Sequence, residues 1–113
     1  MAPLAWDGAL ASAADGYSAD MAANNFISAS HLGSDGSTPA QRISRAGYAW
    51  RAIGENVAAG SASAAETVGQ WLGSPPHCQN LMSASFVHVG GACRANPNST
   101  YRYYWTIDLG APR

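Results

Sequence analysis

The chain has no lysine at all, and its six arginines are set against five aspartates and two glutamates, for a formal charge of −1. That absence removes Schiff-base and P-loop lysine chemistry, and no GxxxxGK pattern occurs. So little positive charge cannot neutralise a phosphate backbone, which excludes nucleic acid as a partner. No apolar run approaches the ~18 residues that a membrane span needs, so no transmembrane segment is expected. Charged residues are only 12% of the 113 residues, about half the usual share, so the surface must be built from Ser, Asn, Gly and Ala. Small polar surfaces of this kind, with just two cysteines, suit an exported protein. Met1-Ala2-Pro3-Leu4 lacks the basic and apolar regions of a leader, so an exported chain would be in its mature form.

What is present reads as one domain of helices followed by strands. Between Pro3 and Ser30, Leu10, Ala14, Tyr17 and Met21 recur at the spacing of one helix face, with Asp7 as N-cap and Trp6 stapling the entry. Ser30 to Ser37 is a loop of residues that favour turns. Thr38-Pro39-Ala40-Gln41 is a capping box with proline at the first helical position, opening a short helix that ends near Gly47 with Ile43 as its anchor. Tyr48 to Ala59 reads as extended. Ser63 to Glu66 is a second capping box, for a helix with Val68, Trp71 and Leu72 on one face. Ser74-Pro75-Pro76-His77 opens a further helix, with Ser74 as N-cap. Period-two alternation in 86–91 and 101–109, around a loop holding Asn96-Pro97-Asn98, predicts an antiparallel hairpin. The order gives an α+β domain in which helices cover an antiparallel sheet.

Few side chains are available for chemistry. Cys78 and Cys93 are 15 residues apart, and in an exported-type chain of this size they are expected to pair, a loop closure worth ~3 kcal/mol. A bridged Cys78 would be no nucleophile. Glu66 has a sufficient role in its capping box, and His88 sits within a strand. His31 and His77 occupy a loop and a helix start, where side chains are presented. Glu55 lies in an apolar stretch, where a buried carboxylate needs a partner. The spacing of His31, Glu55 and His77 matches no local zinc motif.

Several segments together resemble the bacterial branch of the CAP superfamily, the cysteine-rich secretory, antigen 5 and pathogenesis-related class-1 proteins. They are Trp6-Asp7, Ser30-His31, Ser34 to Pro39, Arg42-Ile43, Ala46-Gly47-Tyr48, Gly54-Glu55-Asn56-Val57-Ala58, Trp71 to His77, Asn80-Leu81-Met82 and Phe86 to Gly90. The resemblance implies a secreted α-β-α sandwich, a single domain over 1–113 lacking the usual opening helix. It also implies a cleft formed by His31, Glu55 and His77, able to hold zinc or another divalent metal. Where the eukaryotic branch has a fourth, acidic member, this chain has Ser74, so metal binding is expected to be weak; Asp35 is an accessory candidate. Two imidazoles and a carboxylate form the ligand set of many catalytic zinc sites. Glu55 would then have to serve as both ligand and base, so no residue is assured as catalytic. A binding or effector module for a lipid, peptide or cell-envelope component is the expected function. The alternative is a metal-dependent protease or esterase using Glu55.

Overall fold

A computed structural model describes residues 3–113; Met1 and Ala2, part of the stretch read for a leader, lie outside the described residues. The element order is β1 (Ala5–Trp6), α1 (Gly8–Asn24), α2 (Pro39–Arg45), β2 (Trp50–Ala59), α3 (Ala64–Leu72), α4 (Pro75–Met82), β3 (His88–Ala95) and β4 (Tyr103–Pro112). The strands form one sheet in the order β1-β3-β4-β2. The β3–β4 hairpin is antiparallel, as the alternation predicts, and β2, in the stretch read as extended, pairs antiparallel with β4. β1, however, joins β3 in parallel through Ala5↔His88 and Trp6↔Val89, so the sheet is mixed rather than purely antiparallel. Two residues are too few to show a period, which is why the sequence hides this strand.

Helices cover both faces. α1 begins where Asp7 accepts a hydrogen bond from the Leu10 amide, and it ends at Asn25, which takes the left-handed conformation. Its Leu10, Tyr17 and Met21 are fully buried against the sheet. Trp6 does not staple this helix; it is extended in β1 and largely exposed. In α2 the capping box is complete, Thr38 and Gln41 bonding each other's backbone N–H groups, and Ile43 is buried as expected. In α3, Ser63 caps the Glu66 amide, but the buried face is Thr67 and Trp71, while Val68 and Leu72 are exposed. Ser74 makes no cap hydrogen bond to α4; its hydroxyl meets the His77 ring instead.

Two apolar clusters fill the layer between α1, α2 and the sheet. One joins Tyr17, Met21, Val57 and Tyr104; the other joins Leu10, Ala13, Ile43 and Tyr48. β2 is an edge strand, and α3 and α4 blunt that edge. The Trp71 indole donates to the Val57 carbonyl at 3.1 Å, and the Asn80 amide reaches the Glu55 carbonyl at 3.4 Å.

The cysteines do not pair: Cys78 and Cys93 are both free thiols. α4 packs beside β2, whereas Cys93 is on β3, with β4 between them. Strands lie about 4.8 Å apart, so crossing two exceeds the ~6.8 Å Cα separation that a disulfide tolerates. Partial burial of Cys93 pushes its thiol pKa up, which disfavours the reactive thiolate. We predict that alkylation of unreduced, denatured protein, read by intact mass, adds two adducts; a mass with none would mean a bridge.

Candidate functional site

Backbone pleating places adjacent β2 residues on opposite faces. Glu55 turns toward α1 and α2, while Asn56 turns toward α4, where its amide donates to the His77 carbonyl at 3.1 Å and its carbonyl oxygen accepts from Asn80 at 3.0 Å. Gly54 permits the approach of α4 and the segment after it, because a Cβ there would lie 2.9 Å from the Phe86 ring. The Gly-Glu-Asn motif thus ties both helical layers to one strand.

On the Glu55 side a buried polar network assembles. His31 Nδ1 lies 2.8 Å from Glu55 Oε1, and Arg42 Nη2 lies 3.1 Å from Oε1 and 3.3 Å from Oε2. A carboxylate only accepts, so His31 Nδ1 carries the hydrogen and donates it. Arg42 also donates to the carbonyls of Ser37 (2.7 Å) and His31 (3.0 Å), and its guanidinium stacks 3.7 Å from the Tyr17 ring centroid. Tyr17 donates its hydroxyl to the Leu32 carbonyl at 3.0 Å, and burial pushes its pKa up to about 12, keeping it neutral. These bonds hold the His31 loop, including the left-handed backbone at His31 itself (φ 61°), against α1 and α2.

Burial alone would raise the Glu55 pKa, but the hydrogen bond from His31 and the Arg42 charge hold it below the ordinary value. Directly across the ladder from Glu55 stands Asp108 on β4, with no exposed surface. Its pKa is pushed well up by burial and by the neighbouring Glu55 charge. Sequence reasoning passed over both Arg42 and Asp108 as site residues. The available signal was the phase of Asp108, which shares a β4 face with Tyr104 and Thr106.

The structure brings Glu55 and His31 together; the other candidates do not join them. The ring of His77 bonds Ser74 at 2.9 Å, and its backbone is tied to Asn56 on the far side of the sheet. Ser74 therefore positions His77 rather than facing Glu55. Asp35 lies on the surface, held by the Ser37 amide at 2.9 Å and by Arg45 at 3.3 Å, and these contacts lower its pKa, the Ser37 bonds foremost. His88 bonds the Tyr48 hydroxyl at 2.8 Å. Among the described residues no three His, Cys, Asp or Glu side chains converge as a metal-binding group. Arg42 also holds a fixed positive charge 3.1 Å from Glu55, which opposes a second cation there. This donor set does not fit a resident divalent metal.

A cleft of about 400 Å³ opens beside His31 and Glu55, walled by Thr38, Pro39, Ala40, Ile53 and Gly54. The His31 side chain is 24% exposed, and Glu55 is 2% exposed. His77 is not among the lining residues. A second groove, of about 210 Å³, lies on the opposite sheet face under α3, between Trp6, Trp71, Cys93 and Trp105.

Helices on both faces of a four-stranded mixed sheet make an α-β-α sandwich, a fold shared with a bacterial SCP-domain structure. The chain matches the cysteine-rich secretory protein (CAP) family over residues 1–109, and it belongs to that family. It is 30% identical over 88 residues to the Bacillus subtilis protein YkwD, a match that covers 78% of this chain and 34% of that protein. It thus spans about a third of the length of that relative. Among solved structures, an extracellular SCP-domain protein of Bacillus anthracis superposes with TM-score 0.83 at 29% identity, over 97% of this chain and 34% of the other. An outer surface protein of Borrelia burgdorferi superposes with TM-score 0.87 at 24% identity, over 100% of this chain and 80% of the other, a likeness of fold.

Proposed function

We propose that this is an extracellular CAP-domain binding module whose cleft receives a ligand bearing a hydrogen-bond donor, a hydroxyl or amide of a peptide or cell-envelope component. One observation carries the reading: His31 spends Nδ1–H on the buried Glu55, so Nε2 is the ring nitrogen left for a ligand at the cleft that His31 lines, an acceptor when the ring carries one proton. The remaining walls, from Thr38 to Ala40 and Ile53 to Gly54, are small or apolar, suited to a ligand held by shape and one directed polar contact. Extracellular location is supported by the Bacillus anthracis and Borrelia burgdorferi structures, which are described as extracellular and outer-surface proteins. No described helix is long and apolar enough to cross a membrane.

A carboxylate-oriented imidazole is also the base half of a nucleophilic site, which is the observation favouring a hydrolase. Its nucleophile is missing from the described hydrogen bonds of His31, where no serine or cysteine side chain takes part. Binding is therefore the reading we carry forward.

The test is NMR titration of labelled protein with soluble peptidoglycan fragments and with short peptides. Shifts are expected at His31, Thr38 and Ile53. His31→Asn tolerates the left-handed backbone but offers no ring nitrogen, and it should weaken binding about tenfold, the worth of one directed hydrogen bond. Binding that is equally tight in His31→Asn would remove the cleft from the account. Cleavage of either probe would replace binding with hydrolysis.

A further inference from the structure

Asp108 is buried with both carboxyl oxygens lacking a hydrogen-bond donor among the described groups. Each neighbouring element can be checked for one. Across β3, the partner of Asp108 is Gly90, which has no side chain. On β4 itself, the Thr106 hydroxyl is engaged with Ser18 of α1 at 2.7 Å. From α1, the Tyr17 hydroxyl donates to Leu32; from the loop, His31 Nδ1 is spent on Glu55. From α2, Arg42 directs both terminal nitrogens to Ser37, His31 and Glu55, and its Nε is unpaired and not bonded to Asp108. What remains is Glu55, the cross-strand partner, in a non-hydrogen-bonded ladder position where side chains approach closely.

Two carboxylates at this depth repel, and each would be desolvated; two carboxyl groups attract only when a proton lies between them. Glu55 has a guanidinium and an imidazole N–H to stabilise its charge, and Asp108 has neither. We infer that Asp108 is held as a neutral carboxylic acid whose O–H donates to Glu55, making it the positioning residue for the His31–Glu55 pair. Glu55 is then bonded on every side, by His31, Arg42 and Asp108. It is a closed acceptor, which gives the misfit with a metal ligand set a structural cause. Asp108 thereby sets the orientation of Glu55, and through it the tautomer of His31. The inference concerns the ligand-free protein and stands apart from what the cleft receives.

Carbon-13 NMR of the Asp108 and Glu55 side-chain carboxyls tests it in wild-type protein at neutral pH. Asp108 is expected to show the shift of a protonated acid and Glu55 that of a carboxylate. An ionised Asp108 overturns the proposal whether or not any variant folds. Nitrogen-15 NMR of the His31 ring separates positioning from packing. Asp108→Asn keeps an N–H donor and should preserve the Nδ1–H tautomer, whereas Asp108→Ala, which has no donor, should lose the single tautomer or shift it. A His31 ring and Glu55 carboxyl that are unchanged in Asp108→Ala would also overturn it.

Discussion

Replacing Arg42 with alanine is expected to cost about 3–5 kcal/mol of folding stability, the range seen when one partner of a buried ion pair is removed. The magnitude follows from what stays behind. Glu55 keeps its burial but loses the guanidinium beside it, and the carbonyls of Ser37 and His31 lose their donor. Tyr17 loses the guanidinium stacked on its ring. The deficit should depend on pH with a definite sign. The folded pKa of Glu55 is lowered, so its contribution is complete above the unfolded value, near ~4.3, and is lost as pH falls through the folded one. The folded pKa of Asp108 is raised, so stability is fullest below the unfolded value and falls as pH rises from there toward the folded one. The Glu55 effect makes the Arg42→Ala deficit largest at neutral pH and smaller in acid. Urea unfolding from acid to neutral pH measures it. A loss under about 1 kcal/mol at neutral pH would reduce the network to an ordinary surface pair.

Gly90→Ala is expected to destabilise the protein by about 3 kcal/mol or more, a fall in Tm of about 10 °C or more for a domain of this size. A Cβ at this position would lie 2.5 Å from the Leu10 carbonyl carbon and closer still to the Ala11 nitrogen. These are backbone atoms of α1, so no rotamer change relieves the contact and the helix must move off the sheet. That movement would pull Leu10 and Tyr17 out of the two apolar clusters. Gly16, within α1, has nothing within 4 Å of its missing Cβ. Gly16→Ala should accordingly leave stability unchanged or raise it by about 0.5–1 kcal/mol through helix propensity. Thermal unfolding of the pair separates close approach from conformational freedom; equal small changes in both would contradict the packing described.

Helix starts were legible because caps are local. Asp7, Thr38 and Ser63 bond amides three residues away, and no tertiary contact is needed to read that spacing. The hairpin was legible for the same reason, since alternation is a property of neighbours. Alternation does not say which face is buried when helices cover both. Tyr104 and Asp108 are buried against α1, while Trp105 and Ile107 line the groove under α3.

The candidate site divides along the same line. Its resemblance-bearing motifs implied a cleft with Glu55 beside His31, and the structure holds these two 2.8 Å apart. They also placed His77 there, but the strand pleat sends Asn56, and with it the α4 backbone, to the opposite face. The cysteines, 15 residues apart in the chain, end up with β4 and β2 setting their separation rather than the loop between them. By itself, the sequence determined the four helices and the β3–β4 hairpin, the family and a short list of titratable residues, because local hydrogen bonding and period are written in nearest neighbours. Only the tertiary structure decided that Arg42, from a helix 13 residues before Glu55, and Asp108, from the paired strand, complete its surroundings. Ladder register and layer packing bring together groups that no spacing along the chain relates, and the desolvation of Asp108 exists only once both layers have closed over the sheet.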